Sequence, residues 1–376
     1  MKVIHFIRGF QKQYGSEIFI NLLIREQIAF GHYLKLVVLN SLPKSYLNNI
    51  TSKGIEVEEL RLQDDWFSAA KQLAFETTMY GADIIHSHLG ICDVILSSII
   101  DKINIPVVTT KYSNYLFPHK LLKRLMLQPN DPEGVSINIC MDASITQRFH
   151  SVICVSKDIA SYYMNLGVLE CRVHVIHNAS LSRFLPPISV KCLAKHKPPE
   201  FITALRFEAE KNLNLVIRTA EILVTQGVSF TWKVFGEGVN YPDIVNEVKK
   251  HRLEKHLMLP GYIPHGQLIE HLSTANVLVH TGVSEGLPMV VIEALSLNIP
   301  VITTPTEGIN ELLVSDSWGI KTNSHDPVEL ANAIQVVLNR NLDIKSSTYI
   351  RDNFTIESAC KKTLAVYDDL LGRKET

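Results

Sequence analysis

A chain of 376 residues with 46% hydrophobic and 20% charged residues and a formal net charge of -1 is too long for one ordinary core and suits two domains. The balanced charge excludes any general electrostatic attraction to nucleic acid. No apolar run approaches the roughly eighteen residues of a membrane span, and the opening MKVIHFIRGF meets Arg8 too soon for a signal peptide, so the expected location is the cytoplasm.

Taken in chain order, short β-branched runs alternate with longer amphipathic stretches. KVIHFI reads as a first buried strand, Glu17 to Phe30 as a helix, and LKLVVLN, ADIIHSH, IPVVTT and SVICVS as further strands. Such alternation predicts a parallel sheet covered by helices. After Ile176 the pattern lapses into a Pro- and Ser-rich stretch, the expected interdomain linker, and resumes at PEFITAL. The second half repeats the scheme: FITALR, a helix from Leu213 to Gln226, FTWKVFG, a helix near Asp243 to Arg252, LMLPGY, a helix from His265 to Ser273, NVLVHT, a helix carrying Glu293, and IPVITT. Ile356 to Leu371 has helical period. The α/β class therefore takes the form of two doubly wound, Rossmann-like domains, and ligands in such sheets bind beyond the carboxyl ends of the strands.

Several residues at those strand ends have chemistry to offer. Gly15 and Ser16 stand at the mouth of the first helix, where a glycine lets backbone approach a ligand or simply permits a tight turn. His86 and His88 are two apart on one strand, share a face and could hold a metal, but no third ligand is evident. Lys111 to Asn130 holds Lys111, Lys120, Lys123 and Arg124, no acid, and several leucines. That composition suits a membrane surface or lipid phosphate, and equally a packed helix with a basic solvated face. The six cysteines show no C-x-x-C pair and read as reduced, buried thiols.

In the second half, Arg206 and Lys211 follow a strand and precede a helix, where a guanidinium fork and a point charge could neutralise a diphosphate. Gly236 and Gly238 lack the third glycine of a dinucleotide fingerprint, which disfavours a dehydrogenase. SEGLPMVVIEALSLNI then sets Glu285 and Glu293 eight positions apart around Gly286, Leu287 and Pro288. Proline suits a first helical turn, whose open amides attract phosphate. The two carboxylates lie too far apart to meet one atom and would serve different parts of a long ligand. Read in isolation, the same letters fit a loop acid and a helix-surface acid.

The E-x7-E stretch with its Gly-Leu-Pro insert resembles the donor site of the retaining family-4 glycosyltransferases, which have the GT-B fold. RFEAEK at Arg206 to Lys211, the V-S block at Ile153, VIHNASLSRF at Val175 and TTPTEGINELL at Thr303 resemble further blocks of that family, in order and at plausible spacing. The resemblance implies an acceptor-side domain over residues 1–180, a donor domain over 198–355 facing it across a cleft, and a helix over 356–371 crossing back to the first. It implies Arg206, Lys211 and Glu285 as catalytic residues, and Gly15, Ser16, Gly236, Gly286, Leu287, Pro288 and Glu293 as donor-binding. The implied ligands are a UDP- or GDP-sugar and a glycan or lipid-linked acceptor at the inner membrane face, with no metal or cofactor. Departures are Ser16 for a second glycine, Ala179 for a glycine, and Lys111-Tyr112 where the family has a histidine. The last leaves a non-catalytic nucleotide-sugar-binding subunit as an alternative, and a GT-B epimerase acting on the nucleotide sugar itself is a third reading.

Overall fold

The computed structural model describes residues 1–10, 15–60, 66–114, 140–179, 198–340 and 344–373. Most of the Pro- and Ser-rich stretch after Ile176, with Cys192, lies outside them, as do Lys120, Lys123 and Arg124. The chain divides into two compact units: Met1–Asn178 with Ile356–Thr376, and Ala179–Thr355.

In the first unit, seven parallel strands run in the order β3-β2-β1-β4-β5-β6-β7. They are β1 Lys2–Ile7, β2 Tyr33–Val38, β3 Glu56–Glu59, β4 Ile84–His88, β5 Val107–Lys111, β6 Ser151–Cys154 and β7 Val173–Val175. Helices α1 Gly15–Ala29, α2 Lys44–Thr51, α3 Trp66–Tyr80, α4 Gly90–Ser97 and α5 Lys157–Asn165 alternate with them. β4 and β5 are buried along their whole length, which explains the unbroken apolar starts of these strands. β3, the acidic segment EVEE, carries no apolar period. It becomes a strand because its backbone pairs with β2 from Lys35↔Glu56 to Val38↔Glu59, an edge interaction that local pattern does not encode.

The second unit holds six parallel strands in the order β10-β9-β8-β11-β12-β13: β8 Glu200–Ala204, β9 Thr231–Phe235, β10 Leu257–Gly261, β11 Val277–His280, β12 Val301–Thr303 and β13 Gly319–Lys321. Its helices are α6 Leu213–Thr225, α7 Tyr241–Lys250, α8 His265–Thr274, α9 Met289–Ser296, α10 Ile309–Leu312, α11 Pro327–Asn339 and α12 Ser346–Asn353. Phe201, Phe230 and Trp232 fill the core on one side of the sheet. The Trp232 indole N–H reaches Thr203 Oγ1 at 3.0 Å, and that hydroxyl donates to the Val279 carbonyl at 2.6 Å, so the buried polar atoms are satisfied. The last helix, α13 Ile356–Leu370, packs against α1 in the first unit.

In each sheet the strand order reverses once, between β1 and β4 and between β8 and β11. At such a switch point the two neighbouring strands send their following loops in opposite directions and leave a crevice beyond their carboxyl ends. One strand at each crevice begins apolar and ends polar: His86, Ser87 and His88 finish β4, and His280 and Thr281 stand at the end of β11.

Candidate active site

In the second unit, the loops leaving β8 and β11 meet beyond the switch point. After β8 the chain makes a short 3-10 turn at Ala209–Lys211 and passes through Asn212 in the left-handed region (φ 51°) before α6. Backbone and hydroxyl bonds tie this turn to the β11 loop: Val283 N–H donates to the Glu210 carbonyl at 2.9 Å and Thr281 Oγ1 to the Lys211 carbonyl at 3.0 Å. The result brings Lys211 Nζ to 2.6 Å from Glu285 Oε1 and 3.2 Å from the Ser284 carbonyl. Glu285 keeps about a fifth of its side chain exposed and Lys211 about a tenth. Burial pushes the Glu285 carboxyl up, but the Lys211 ammonium and the His280 ring outweigh it and hold the group down at about 2.

Glu285 is fixed from behind as well. Its amide donates to Glu307 Oε2 at 3.1 Å, from the loop after β12. In the same loop Gly308 passes so close to Gly286 that a Cβ on it would stand 2.4 Å from the Gly286 carbonyl oxygen. Gly286, Leu287 and Pro288 are buried against this loop. Pro288 is the N-cap of α9, one position earlier than a first-turn proline, and has no side-chain capping bond. The first amides of α9 have no intrahelical acceptor, as at any helix start.

Glu293 lies on α9 and is 3% exposed, not a helix-surface acid. Its Oε1 accepts from His265 Nε2 at 2.7 Å, a residue at the start of α8. Burial lowers the His265 pKa, but the carboxylate raises it more, so the ring sits above its ordinary value. In the sequence His265 marks only a helix start; its role as partner of Glu293 is a contact over 28 residues that no local spacing announces. Arg206 is more open, with 38% of its side chain exposed, and pairs with Glu210 at 3.1 Å. Gly236 serves packing: at φ 137°, an added Cβ would lie 1.8 Å from the Leu205 carbonyl oxygen, so only glycine lets the β9 exit run beside the β8 exit. Lys211, Glu285 and Gly286 to Pro288 thus form one cluster tied together by the 207–212 turn, with Arg206 and Gly236 on the adjoining β8 and β9 exits. Gly15 and Ser16, half-buried at the start of α1, belong to the other unit.

In the first unit the polar side chains at the β1/β4 switch point bond to one another. His86 and His88 find the third histidine that the strand spacing did not reveal: His5, on neighbouring β1, is brought alongside by the register His5↔His86. Their ligand-type nitrogens lie within 4.8 Å of one another, yet every ring nitrogen is already used. Hydrogen bookkeeping gives one direction round a loop. Tyr112 O–H donates to His88 Nδ1 (2.9 Å), His88 Nε2–H to His5 Nδ1 (2.9 Å), and His5 Nε2–H to Gln27 Oε1 (2.7 Å). Gln27 Nε2–H reaches the Tyr367 hydroxyl (3.5 Å), which donates to His86 Nδ1, and His86 Nε2–H donates to Thr110 Oγ1 (2.7 Å). Thr110 in turn hydrogen-bonds Tyr112 and closes the ring. Seating a cation on the three histidines would break at least two of these bonds, one of them the His5–His88 contact itself, so the residues fit a neutral network better than a metal centre. Burial depresses all three histidines, His5 to about 4 and the others well below the ordinary value.

Lys111, which heads the basic stretch of the sequence, is buried. Its Nζ lies 2.8 Å from Asp93 Oδ2 and 3.2 Å from Asp142 Oδ1, above the Tyr163 ring, whose hydroxyl donates to Asp142 at 2.8 Å. Lys111 is thus taken up by internal pairs. Of the cysteines, Cys92, Cys154 and Cys360 are buried thiols as expected, whereas Cys140 and Cys171 are exposed. No helix among the described residues is long and apolar enough to cross a membrane.

With this geometry in place, comparison with known proteins supplies the family. Residues 14–179 match the model for Glycosyltransferase Family 4, and residues 187–354 that for Glycosyl transferases group 1. Among curated proteins the chain is similar to the putative colanic acid biosynthesis glycosyltransferase WcaL of Escherichia coli K12, at 29% identity over 41% of this chain and 39% of that one. It is also similar to the phosphatidylinositol N-acetylglucosaminyltransferase GPI3 subunit of Saccharomyces cerevisiae, at 23% identity over 64% and 55%. The match thus spans little more than half, or less, of these relatives. Among solved structures, a glycosyltransferase from Rickettsia africae superposes with a TM-score of 0.77 at 15% identity, covering 99% of both chains. Anabaena Alr3699/HepE in complex with UDP and glucose gives 0.77 at 16%, covering 98% of this chain and 100% of that one. Two parallel Rossmann-like sheets, these neighbours and the two models, which together take in most of the sequence, lead to one assignment: the chain belongs to the family-4, group 1 glycosyltransferases and has the GT-B fold.

Proposed function

We propose that the protein transfers a sugar from a nucleotide-diphosphate donor to a hydroxyl of a glycan or lipid-linked oligosaccharide, with retention of configuration, in the building of a cell-surface polysaccharide. The observation that carries this reading is the contact of Lys211 with Glu285 at the switch point of the second sheet, beside the start of α9. Lys211, Arg206 and the first amides of α9 supply positive potential to a departing diphosphate, which is stabilisation set in place before the reaction begins. Glu285, kept ionised by Lys211 and His280, accepts hydroxyls of the donor sugar and favours positive charge at its anomeric carbon. Glu293 offers the oxygen not taken by His265 to the ribose. A UDP-sugar is the natural first candidate, since a neighbour of the same fold is known with UDP-glucose. No metal or cofactor has a part in this scheme. Contact with the inner membrane face, suggested by Lys120, Lys123 and Arg124 in the sequence and not by Lys111, which is buried, belongs to the same proposal.

The test is incubation of purified protein with a panel of UDP- and GDP-sugars, with and without glycan acceptors, followed by mass spectrometry of products. Acceptor-dependent transfer supports the reading, and conversion of donor alone would indicate an epimerase. A second reading, a non-catalytic nucleotide-sugar-binding subunit, is favoured by one observation. At the place where the family has a histidine, Lys111 is committed to Asp93 and Asp142, and Tyr112 to the histidine ring. Binding without turnover across the panel would support it. Under either reading Glu293→Ala should weaken UDP binding by roughly tenfold or more in calorimetric titration; unchanged affinity removes Glu293 from the ribose.

A further inference from the structure

His280 ends β11 and is buried, with 2% of its surface exposed. Nothing in the sequence pattern marks it, yet its ring links two strand ends to the candidate site. Nδ1 lies 3.4 Å from Thr303 Oγ1 at the end of β12, and Nε2 lies 3.3 Å from Glu285 Oε1, the same oxygen that Lys211 contacts at 2.6 Å. Gly282, between them, makes the room: a Cβ there would lie 2.9 Å from both Glu285 Oε1 and His280 Cε1. No hydrogen bond from a described residue reaches Glu285 Oε2.

We propose that His280 is a positioning residue which, by donating Nε2–H to Glu285 Oε1, fixes the carboxylate with Oε2 turned to the substrate. This rests on the glycosyltransferase reading for its consequence, though not for its geometry. An ionised carboxylate only accepts, so the hydrogen must sit on Nε2 for the contact to hold. Lys211 alone, a point charge on a flexible stem, would leave the carboxylate free to rotate about its own Oε1. Two donors on one oxygen, approaching from different strand loops, remove that freedom, and a carboxylate held at the reacting position spares reorganisation in the transition state. His280 touches no substrate in this account. It acts through Glu285.

The test has two arms. In the first, 15N-imidazole NMR of the full chain at pH 7.5, assigned with His280→Gln, should find the His280 hydrogen on Nε2, and Glu285→Ala should change that ring's nitrogen shifts. A bare Nε2 in the wild type, or shifts unmoved by Glu285→Ala, overturns the proposal whether or not the protein transfers sugar. In the second, His280→Leu should lower kcat by about 10- to 100-fold with donor KM changed little. His280→Gln, which keeps an N–H donor, should recover most of the loss. Equal kcat in His280→Leu and wild type, or equal impairment in Leu and Gln variants of unchanged melting temperature, also overturns it. Absence of transfer by the wild type on any donor fails the proposed function instead, and the NMR arm then decides the role of His280 alone.

Discussion

At the scale of residues, the chemistry is concentrated in a few buried charges whose partners lie far away in sequence. Lys211 and Glu285 stand 74 positions apart and meet at 2.6 Å. Lys211→Ala should reduce kcat by roughly a hundredfold or more, since it removes a donor aimed at developing charge. Circular dichroism should show the fold intact, and near-normal turnover would remove Lys211 from the reaction. Lys111 offers the contrast of a cation buried for structure. Lys111→Met would leave Asp93 and Asp142 facing each other without a counter-ion, and removing one partner of a buried pair costs about 3–5 kcal/mol. Denaturant titration should show that loss; a change under about 1 kcal/mol would mean the two aspartates do not depend on Lys111. The sequence made Lys211 visible because its spacing from Arg206 and the acidic motif downstream fit a known pattern. It concealed Lys111, because a lysine after two threonines has the letters of a loop, and only Asp93 and Asp142, 18 and 31 positions away, make its burial affordable. His280 was equally silent: its significance is a distance to Glu285 and a missing Cβ at Gly282, neither of which is a periodicity.

At the scale of elements, strand identity was legible wherever both faces of a strand are buried, as in KVIHFI and IPVVTT, and lost where pairing alone decides, as in β3. The polar ends of β4, β5, β11 and β12 could be read directly, and they mark the carboxyl edges where sites form. What they do there could not be read, because it depends on which strand lies beside them. In the second unit the loops beyond them bring Lys211 to Glu285; in the first they bond to one another in the ring of Tyr112, His88, His5, Gln27, Tyr367, His86 and Thr110. That ring joins β1, β4, the end of β5, α1 and α13, whose Tyr367 comes from 281 positions beyond His86. It therefore binds the last helix to the sheet with more than apolar contact. Tyr367→Phe should test this with little change in volume. It strands His86 Nδ1 and Gln27 Nε2 without partners in a buried site, at a cost of about 1–3 kcal/mol. Hydrogen exchange in peptides from α13 should rise accordingly, and unaltered exchange would show that α13 is held by its apolar face alone.

At the scale of the whole molecule, the two units have the same architecture, an inserted crevice at a single reversal of strand order, and opposite protonation habits. In the first unit burial depresses His5, His86 and His88 strongly, and it is also the largest cause of the lowered values at His32, His150 and His174. In the second, the resolved histidine shift is upward, at His265 beside Glu293, and Glu285 is held down at about 2. The signs differ in consequence. A histidine depressed in the folded state binds its proton more readily when unfolded, so its contribution is complete above the ordinary value near 6.5 and declines as pH falls below it. Each of the three ring histidines can then remove up to about 1.4 kcal/mol per pH unit, for His5 until the folded ring itself titrates near 4. His265 works the other way: its pairing stabilises below 6.5 and is lost as pH rises through its raised value. Glu285 contributes throughout this range and fails only as pH falls from the ordinary carboxyl region toward 2. Between pH 7.5 and 5 the first unit should therefore weaken while the second holds. Hydrogen exchange read by mass spectrometry, corrected for the intrinsic pH dependence of exchange, should show peptides of β1, β4, β5 and α13 losing protection at pH 5 while those of β8, β11 and α9 keep theirs. Protection lost evenly across both units, or first from β8 and β11, would mean that the histidine ring does not set the acid limit of the fold.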